Sequence, residues 1–316
     1  MINDPLTRAR ARLALHDVCR KHLFDRNITS IDVGFKSSDG MVNRDRLAIR
    51  FHVAKKLSGF SLEQAVEDGM TQILPRRAGE FDTDVLQGSY VPHLRAAPNP
   101  RLSRFDPLRG GISISRSGPY GAGTLGGVVF DRASGDPMIL SNWHVLVANW
   151  ASRPGIFIYQ PARMDGGGLQ DLIARLTRDA MAFNLDAAVA SLEDSRRISD
   201  TQLEIGPVNG HADPVPGMRV VKSGRTTRVT HGEVTGVDGV AKLRYGYLDR
   251  LIRHVTTIEP VFAASELSMG GDSGSLYLDE ATRSCVALHF AGSNNPERAL
   301  AIHINPVLDA LSVDMA

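Results

Sequence analysis

Near its C-terminal end the chain reads SMGGDSGSLYLD, residues 268 to 279, between two apolar stretches. A simple turn needs fewer glycines. A reactive serine on a tight loop, with neighbours small enough to admit a substrate, accounts for the pattern and makes Ser273 the candidate nucleophile. A serine hydroxyl is weak at neutral pH, so it needs an adjacent base that a third group orients. Among ten histidines, His144 stands at a strand-to-turn junction in MILSNWHVLVAN, held by apolar neighbours and still reachable. Asp186 heads the apolar run of FNLDAAVASLED. Burying a carboxylate in a strand is costly unless something pairs with it. An imidazole N–H would do so, and would fix the histidine tautomer. Asp179 and Asp194 are rival carboxylates, but both sit among polar residues.

The rest of the chain must position these groups. Its 316 residues, 42% hydrophobic and 22% charged, fall in the globular range and leave room for two domains or three small ones. A net charge of +1 with scattered arginines argues against nucleic acid or an acidic membrane as partner. Two distant cysteines, Cys19 and Cys285, suit a reducing compartment. The start MINDPLTRARARLALHDVCRKHLF lacks the apolar run of a signal peptide, and no stretch approaches the roughly 18 apolar residues of a membrane span. The expectation is a soluble cytoplasmic protein. No paired histidines or cysteines have metal-ligand spacing, so neither metal nor other cofactor is expected.

Residues 6 to 24 carry Leu6, Leu13, Leu15, Val18, Leu23 and Phe24 among basic residues, which predicts an amphipathic helix starting at Asp4-Pro5. Two alternating runs around Ser38-Asp39-Gly40 predict a hairpin. Residues 62 to 70 read as a short helix, and FDTDVLQGSYV as another strand. Residues 1 to 92 therefore form a small α/β unit, and the proline-rich segment 93 to 107 is a linker. Beyond it, short β-branched runs alternate with Gly, Asp and Asn turns, as in an all-β barrel or sandwich. Residues 169 to 177 could be helix or strand, and PVLDALS reads as a closing helix. Gly121-Ala122-Gly123-Thr124-Leu125-Gly126 matches a dinucleotide fingerprint, but a strand and turn follow where that motif needs a helix.

The order His144, Asp186, Ser273 resembles that of the chymotrypsin-like (trypsin-like) serine proteases. SNWHV is similar to their histidine motif, LDAAV to their aspartate motif and GGDSGS to their serine motif. VVKSGRTTRVTHGEV resembles the opening hairpin of the second barrel in bacterial members. The resemblance covers about residues 108 to 316 and implies two six-stranded β-barrels, 108 to 208 with His144 and Asp186 and 209 to 316 with Ser273. The N-terminal unit, LRGGISIS, GTLGGVVFD, LHFAGS and AIHINPVLDAL also resemble bacterial relatives of the plant narrow-leaf trypsin-like proteins. An α/β-hydrolase fits worse, since its elbow wants G-x-S-x-G and its histidine comes last.

The resemblance implies a serine endopeptidase acting on protein or peptide substrates. Ser273 attacks, His144 shuttles the proton, Asp186 orients the imidazole, and the amides of Gly271 and Ser273 form the oxyanion hole. Phe290, Ala291 and Gly292 line up with the substrate backbone. His289 falls on the wall of the specificity pocket and Leu267 at its base, favouring Glu or Gln before the cut over Arg or Lys. The alternative for His289 is a core histidine on a strand. Val85-Leu86-Gln87-Gly88-Ser89 is a sequence such an enzyme could cut in itself. Ser275 replaces a usual glycine, and nothing in the sequence says what pairs with Asp272. Both departures leave open a catalytically inactive protease fold serving as a binding module. A third reading has the N-terminal unit recruit substrates, bind a regulator or assemble a homo-oligomer, making proteolysis conditional.

Overall fold

The computed structural model describes residues 4–38, 41–90, 100–118, 121–193, 196–262, 265–294 and 297–315. The rival carboxylate Asp194 and the Asp39-Gly40 turn lie outside them, as do residues 93–99 of the predicted linker.

Helix α1 (Pro5–His22) starts where expected. The Asp4 side chain accepts the Thr7 amide, and Ala11, Leu15 and Val18 form the buried stripe. That stripe packs with an antiparallel pair, β1 (Ile28–Ser38) and β2 (Met41–Val53). Helix α2 (Phe60–Glu67) begins two residues earlier than the predicted span. Strands β3 (Arg77–Ala78) and β4 (Phe81–Gln87) complete the unit, with β4 parallel to β2. Gln87 is held there: its carbonyl accepts from Arg298 at 2.9 Å, so a protease could grip this strand only after it unzips.

The next strands are β5 (Leu108–Gly110), β6 (Ser113–Arg116), β7 (Gly123–Thr124), β8 (Gly127–Asp131) and β9 (Pro137–Ser141). One helical turn, α3 (Trp143–Leu146), precedes β10 (Phe157–Tyr159), β11 (Leu172–Asp179), β12 (Ala188–Leu192), β13 (Ile198–Gln202) and β14 (Gly206–Pro207). Strands β8, β9, β12, β11, β10 and β6 pair in that order. Bonds from Gly111 N to Leu125 O and from Leu125 N to Ile112 O, both 2.8 Å, close the ring. The ambiguous segment 169 to 177 is mainly strand, with one 3₁₀ turn at Leu169–Asp171. Residues 100 to 107 are packed rather than loose: Arg101 is buried and donates to Gly111 O at 3.0 Å, and Phe105 packs on the barrel core.

The second ring comprises β15 (Arg219–Gly224), β16 (Arg228–Tyr245), β17 (Leu248–Pro260), β18 (Leu276–Asp279), β19 (Cys285–Asn294) and β20 (Glu297–His303). Its order is β15, β18, β19, β20, β17, β16, and β16 pairs back with β15. Helix α4 (Ile304–Leu311) buries Ile304, Val307, Leu308 and Leu311, and β21 (Val313–Met315) then returns to pair with β8 of the first barrel.

Strands β16 and β17 run far past the barrel as a two-stranded ribbon. Strand β1 pairs with the outer part of β16 (Ser30 with Ala241, Ile31 with Val240), so the N-terminal unit continues the second barrel's sheet. At that junction Asp32 is fully buried, with both its oxygens 2.7 Å from the Arg50 guanidinium and Thr257 Oγ1 donating at 2.6 Å.

Candidate active site

His144 lies in α3, immediately after β9, and Asp186 immediately before β12. These neighbouring antiparallel strands (Ala188 opposite Ser141) bring the two side chains together. Asp186 is fully buried. Its Oδ1 accepts the His144 amide at 3.0 Å and its Oδ2 faces His144 Nδ1 at 2.5 Å. Asn142 Nδ2 donates to the Asp186 carbonyl at 2.7 Å, fixing the backbone on which the carboxylate rides. The imidazole is thus oriented through Nδ1. Its Nε2 is buried without a hydrogen-bond partner among the described residues. The rival Asp179 does other work: its side chain accepts the Met181 amide at 3.0 Å.

Ser273 reaches the same seam from the second barrel. Thr124 N donates to the Ser273 carbonyl at 2.8 Å. A Cβ on Gly123 would lie 3.0 Å from that carbonyl and 2.4 Å from the side chain of Val145, the residue after His144. A Cβ on Gly126 would lie 2.6 Å from the Gly274 carbonyl. The glycine run that mimics a dinucleotide fingerprint is where the two barrels touch, and no helix follows it. Ser273 Oγ is 3.5 Å from the Phe290 carbonyl.

The loop before Ser273 is held by Asp272, whose partner the sequence left unnamed. Asp272 is fully buried and meets Lys222 Nζ of β15 at 3.2 Å. It also accepts Thr227 Oγ1 at 2.6 Å and the amides of Thr226, Thr227 and Met269 at 2.8, 3.1 and 3.0 Å. Burial pushes this carboxyl up, but Lys222, Thr227 and the Met269 amide outweigh it and hold it at about 2. Burial lowers Lys222 from its usual value, and Asp272 opposes that. Gly271 (φ 100°) and Gly274 (φ 98°) take backbone angles that suit glycine, and Thr124 Oγ1 anchors the Gly271 carbonyl at 2.8 Å. The Ser275 hydroxyl, in place of a glycine, donates to the Asp272 carbonyl at 2.5 Å and so tightens the turn.

Leu267, His289, Phe290 and Ala291 are fully buried, and Gly292 is buried beside them. The His289 ring packs edge-on against Tyr277 at 5.9 Å. The Leu267 carbonyl accepts Thr230 Oγ1 at 2.8 Å and its amide donates to Glu297 at 2.9 Å. Strand β18 pairs with β19 as far as Leu276 opposite Leu288, backbone bonds from Gly274 and Ser275 reach on to His289, and β20 continues to pair with Ala291 and Gly292.

Two contributors escaped the sequence reading. Lys222 carried a weak signal, as a lysine at an inward position of the run MRVVKSG. Tyr245 carried none: it ends β16 and its hydroxyl donates to Asp186 Oδ2 at 2.8 Å.

No protein-family model matches the chain, and no curated protein matches it. Among solved structures it is similar to a glutamic acid specific serine protease that uses a histidine triad in substrate binding. That likeness is 20% identical with a TM-score of 0.51, over 66% of this chain and 100% of the other. Protease A from Thermobifida fusca aligns at 16% identity, TM-score 0.49, over 66% of this chain and 98% of its own. A Nocardiopsis protease aligns at 17% identity, TM-score 0.48, over the same shares. The fold is a chymotrypsin-like double β-barrel carrying a small N-terminal α/β unit. No helix among the described residues is long and apolar enough to cross a membrane.

Proposed function

We propose that the protein is a serine endopeptidase working through Ser273, His144 and Asp186. The observation that carries this reading is the His144 Nδ1–Asp186 Oδ2 pair, buried at the barrel seam that Ser273 enters from the other side. Ser273 Oγ attacks the scissile carbonyl while His144 Nε2 takes its proton and later returns it to the leaving amine. Asp186 orients the ring and stabilises the imidazolium. The developing oxyanion is received by the amides of Gly271 and Ser273 on the loop that Asp272 and Lys222 shape. Residues 290–292 receive the substrate backbone as an added strand, which β18's early end favours.

The primary pocket is formed by Leu267 and His289. With leucine rather than aspartate at its base and an imidazole on its wall, it favours Glu or Gln before the cut over Arg or Lys. The similar protease of glutamic acid specificity supports this choice. The likeness to bacterial relatives of the plant narrow-leaf proteins belongs to the same reading, as does a cytoplasmic setting. A latent site is the second reading, favoured by the burial of His289 and by a His144 Nε2 without a hydrogen-bond partner among the described residues.

A peptide library digested by wild type and by Ser273→Ala tests both levels. We expect wild type alone to cut, with Glu or Gln before the bond. Cutting by both proteins would remove Ser273 from the chemistry, and a preference for Arg or Lys would remove His289 from the pocket.

A further inference from the structure

The carboxylate that orients His144 has a third donor that comes from the other barrel. Tyr245 stands at the tip of the β16–β17 ribbon and is buried. Its hydroxyl donates to Asp186 Oδ2 at 2.8 Å, the same oxygen that faces His144 Nδ1. The ring sits edge-on to Trp143 at 5.9 Å, with its centre 6.2 Å from that of His144. Two further bonds dock the ribbon around the site. Trp150 Nε1 donates to the Tyr245 carbonyl at 3.1 Å, and Arg253 N donates to Asn184 O at 2.9 Å, just before Asp186. Arg250 lies over the Trp150 ring at 4.5 Å.

The ribbon is gripped from its outer side by the N-terminal unit. Strand β1 pairs with it at Ala241 and Val240, Val240 and Leu251 pack with the α1–β1–β2 core, and Lys242 Nζ donates to Asp25 O at 3.2 Å. A two-stranded ribbon alone is marginal in water, so β1 and α1 brace the stretch behind the tip that docks on the first barrel.

We infer that Tyr245 is a positioning residue for Asp186 and His144, and that the N-terminal unit acts on the site by holding the ribbon that carries it. The inference rests on the proposed triad. A carboxylate with three donors has one orientation. With two it can rotate, and the imidazole follows it. Among the described residues, the titratable side chains touching the His144–Asp186 pair are each other and Tyr245. Burial pushes the Tyr245 phenol well above its usual range, so it stays a donor across the working pH.

The test is the rate at which a fluorophosphonate probe labels Ser273 in the full chain, read by intact mass across pH. Tyr245→Phe keeps the ring against Trp143 and removes only the donor. We expect labelling about tenfold to a hundredfold slower, with its acid limb moved to higher pH because the less shared carboxylate holds the protonated imidazole more tightly. Leu251→Ala, at the seam with the N-terminal unit, should slow labelling in the wild-type background and add little on top of Tyr245→Phe. A Tyr245→Phe protein that labels at the wild-type rate with an unmoved acid limb overturns the positioning role. Strictly additive effects overturn the link to the N-terminal unit. Absence of labelling in wild type overturns the triad reading, a result distinct from either.

Discussion

One fully buried aspartate from each barrel, Asp186 and Asp272, stands beside the reactive residues, and the two are partnered in opposite ways. Asp272 in the second barrel meets a resident cation, Lys222, together with a threonine hydroxyl and three backbone amides. Its charge is neutralised before any substrate arrives. Asp186 in the first barrel meets an imidazole, a phenol and one backbone amide, and no lysine or arginine touches it among the described residues. Its charge is left for a cation that forms only when His144 takes a proton. Asp32, clamped by Arg50 where the N-terminal unit joins, belongs with Asp272. A buried aspartate with a permanent cation shapes the chain. One surrounded by neutral donors is placed for chemistry.

The contrast can be broken most directly at Asp186. Asp186→Asn should lower activity by about 10⁴-fold, because the amide presents the wrong partner to Nδ1, with little change in the unfolding midpoint. Lys222→Met should show the reverse signature in chemical denaturation. Leaving Asp272 buried without its cation costs about 3–5 kcal/mol, and activity should be lost through the loop rather than the imidazole. If Lys222→Met kept full stability, Asp272 would not be the structural carboxylate.

Two smaller effects sharpen the picture. Gly126→Ala places a methyl against the Gly274 carbonyl and should destabilise by about 1–3 kcal/mol, read as a lower melting temperature. pH separates the groups as well. The Asp272 carboxyl sits near 2 in the folded protein, below its ordinary 3.8. Its contribution to stability is therefore complete above about pH 4 and fades as pH falls toward 2. Acid titration should show a steeper loss of stability in wild type than in Asp272→Asn.

Much of this was legible from the sequence because the relevant signals are local. Asp186 announced itself as a charge at the head of the apolar run LDAAVASL, and Ser273 by glycines on both sides. Helix α1 was readable from its cap and stripe. What escaped depends on contacts distant in the chain. The ribbon segment DGVAKLRYGYLDRLIRH is polar and interrupted by glycine, and its register shifts between Val234 and Ala241. Such a stretch has no clean period to read as a strand. Tyr245 is consequently invisible as a partner of Asp186 until the ribbon is folded over the first barrel. Strand β21 is three residues long and exists only because β8 offers it an edge. The segment 100 to 107 carries linker composition, yet the barrel buries its Arg101.

Activation of Ser273 by the geometry at the seam is open to a direct test. Treating wild type and Ser273→Ala with a fluorophosphonate probe, and weighing the intact chains, tests it in one step. A single adduct is expected on wild type and none on Ser273→Ala. An unmodified wild-type chain, or equal modification of both, would contradict it.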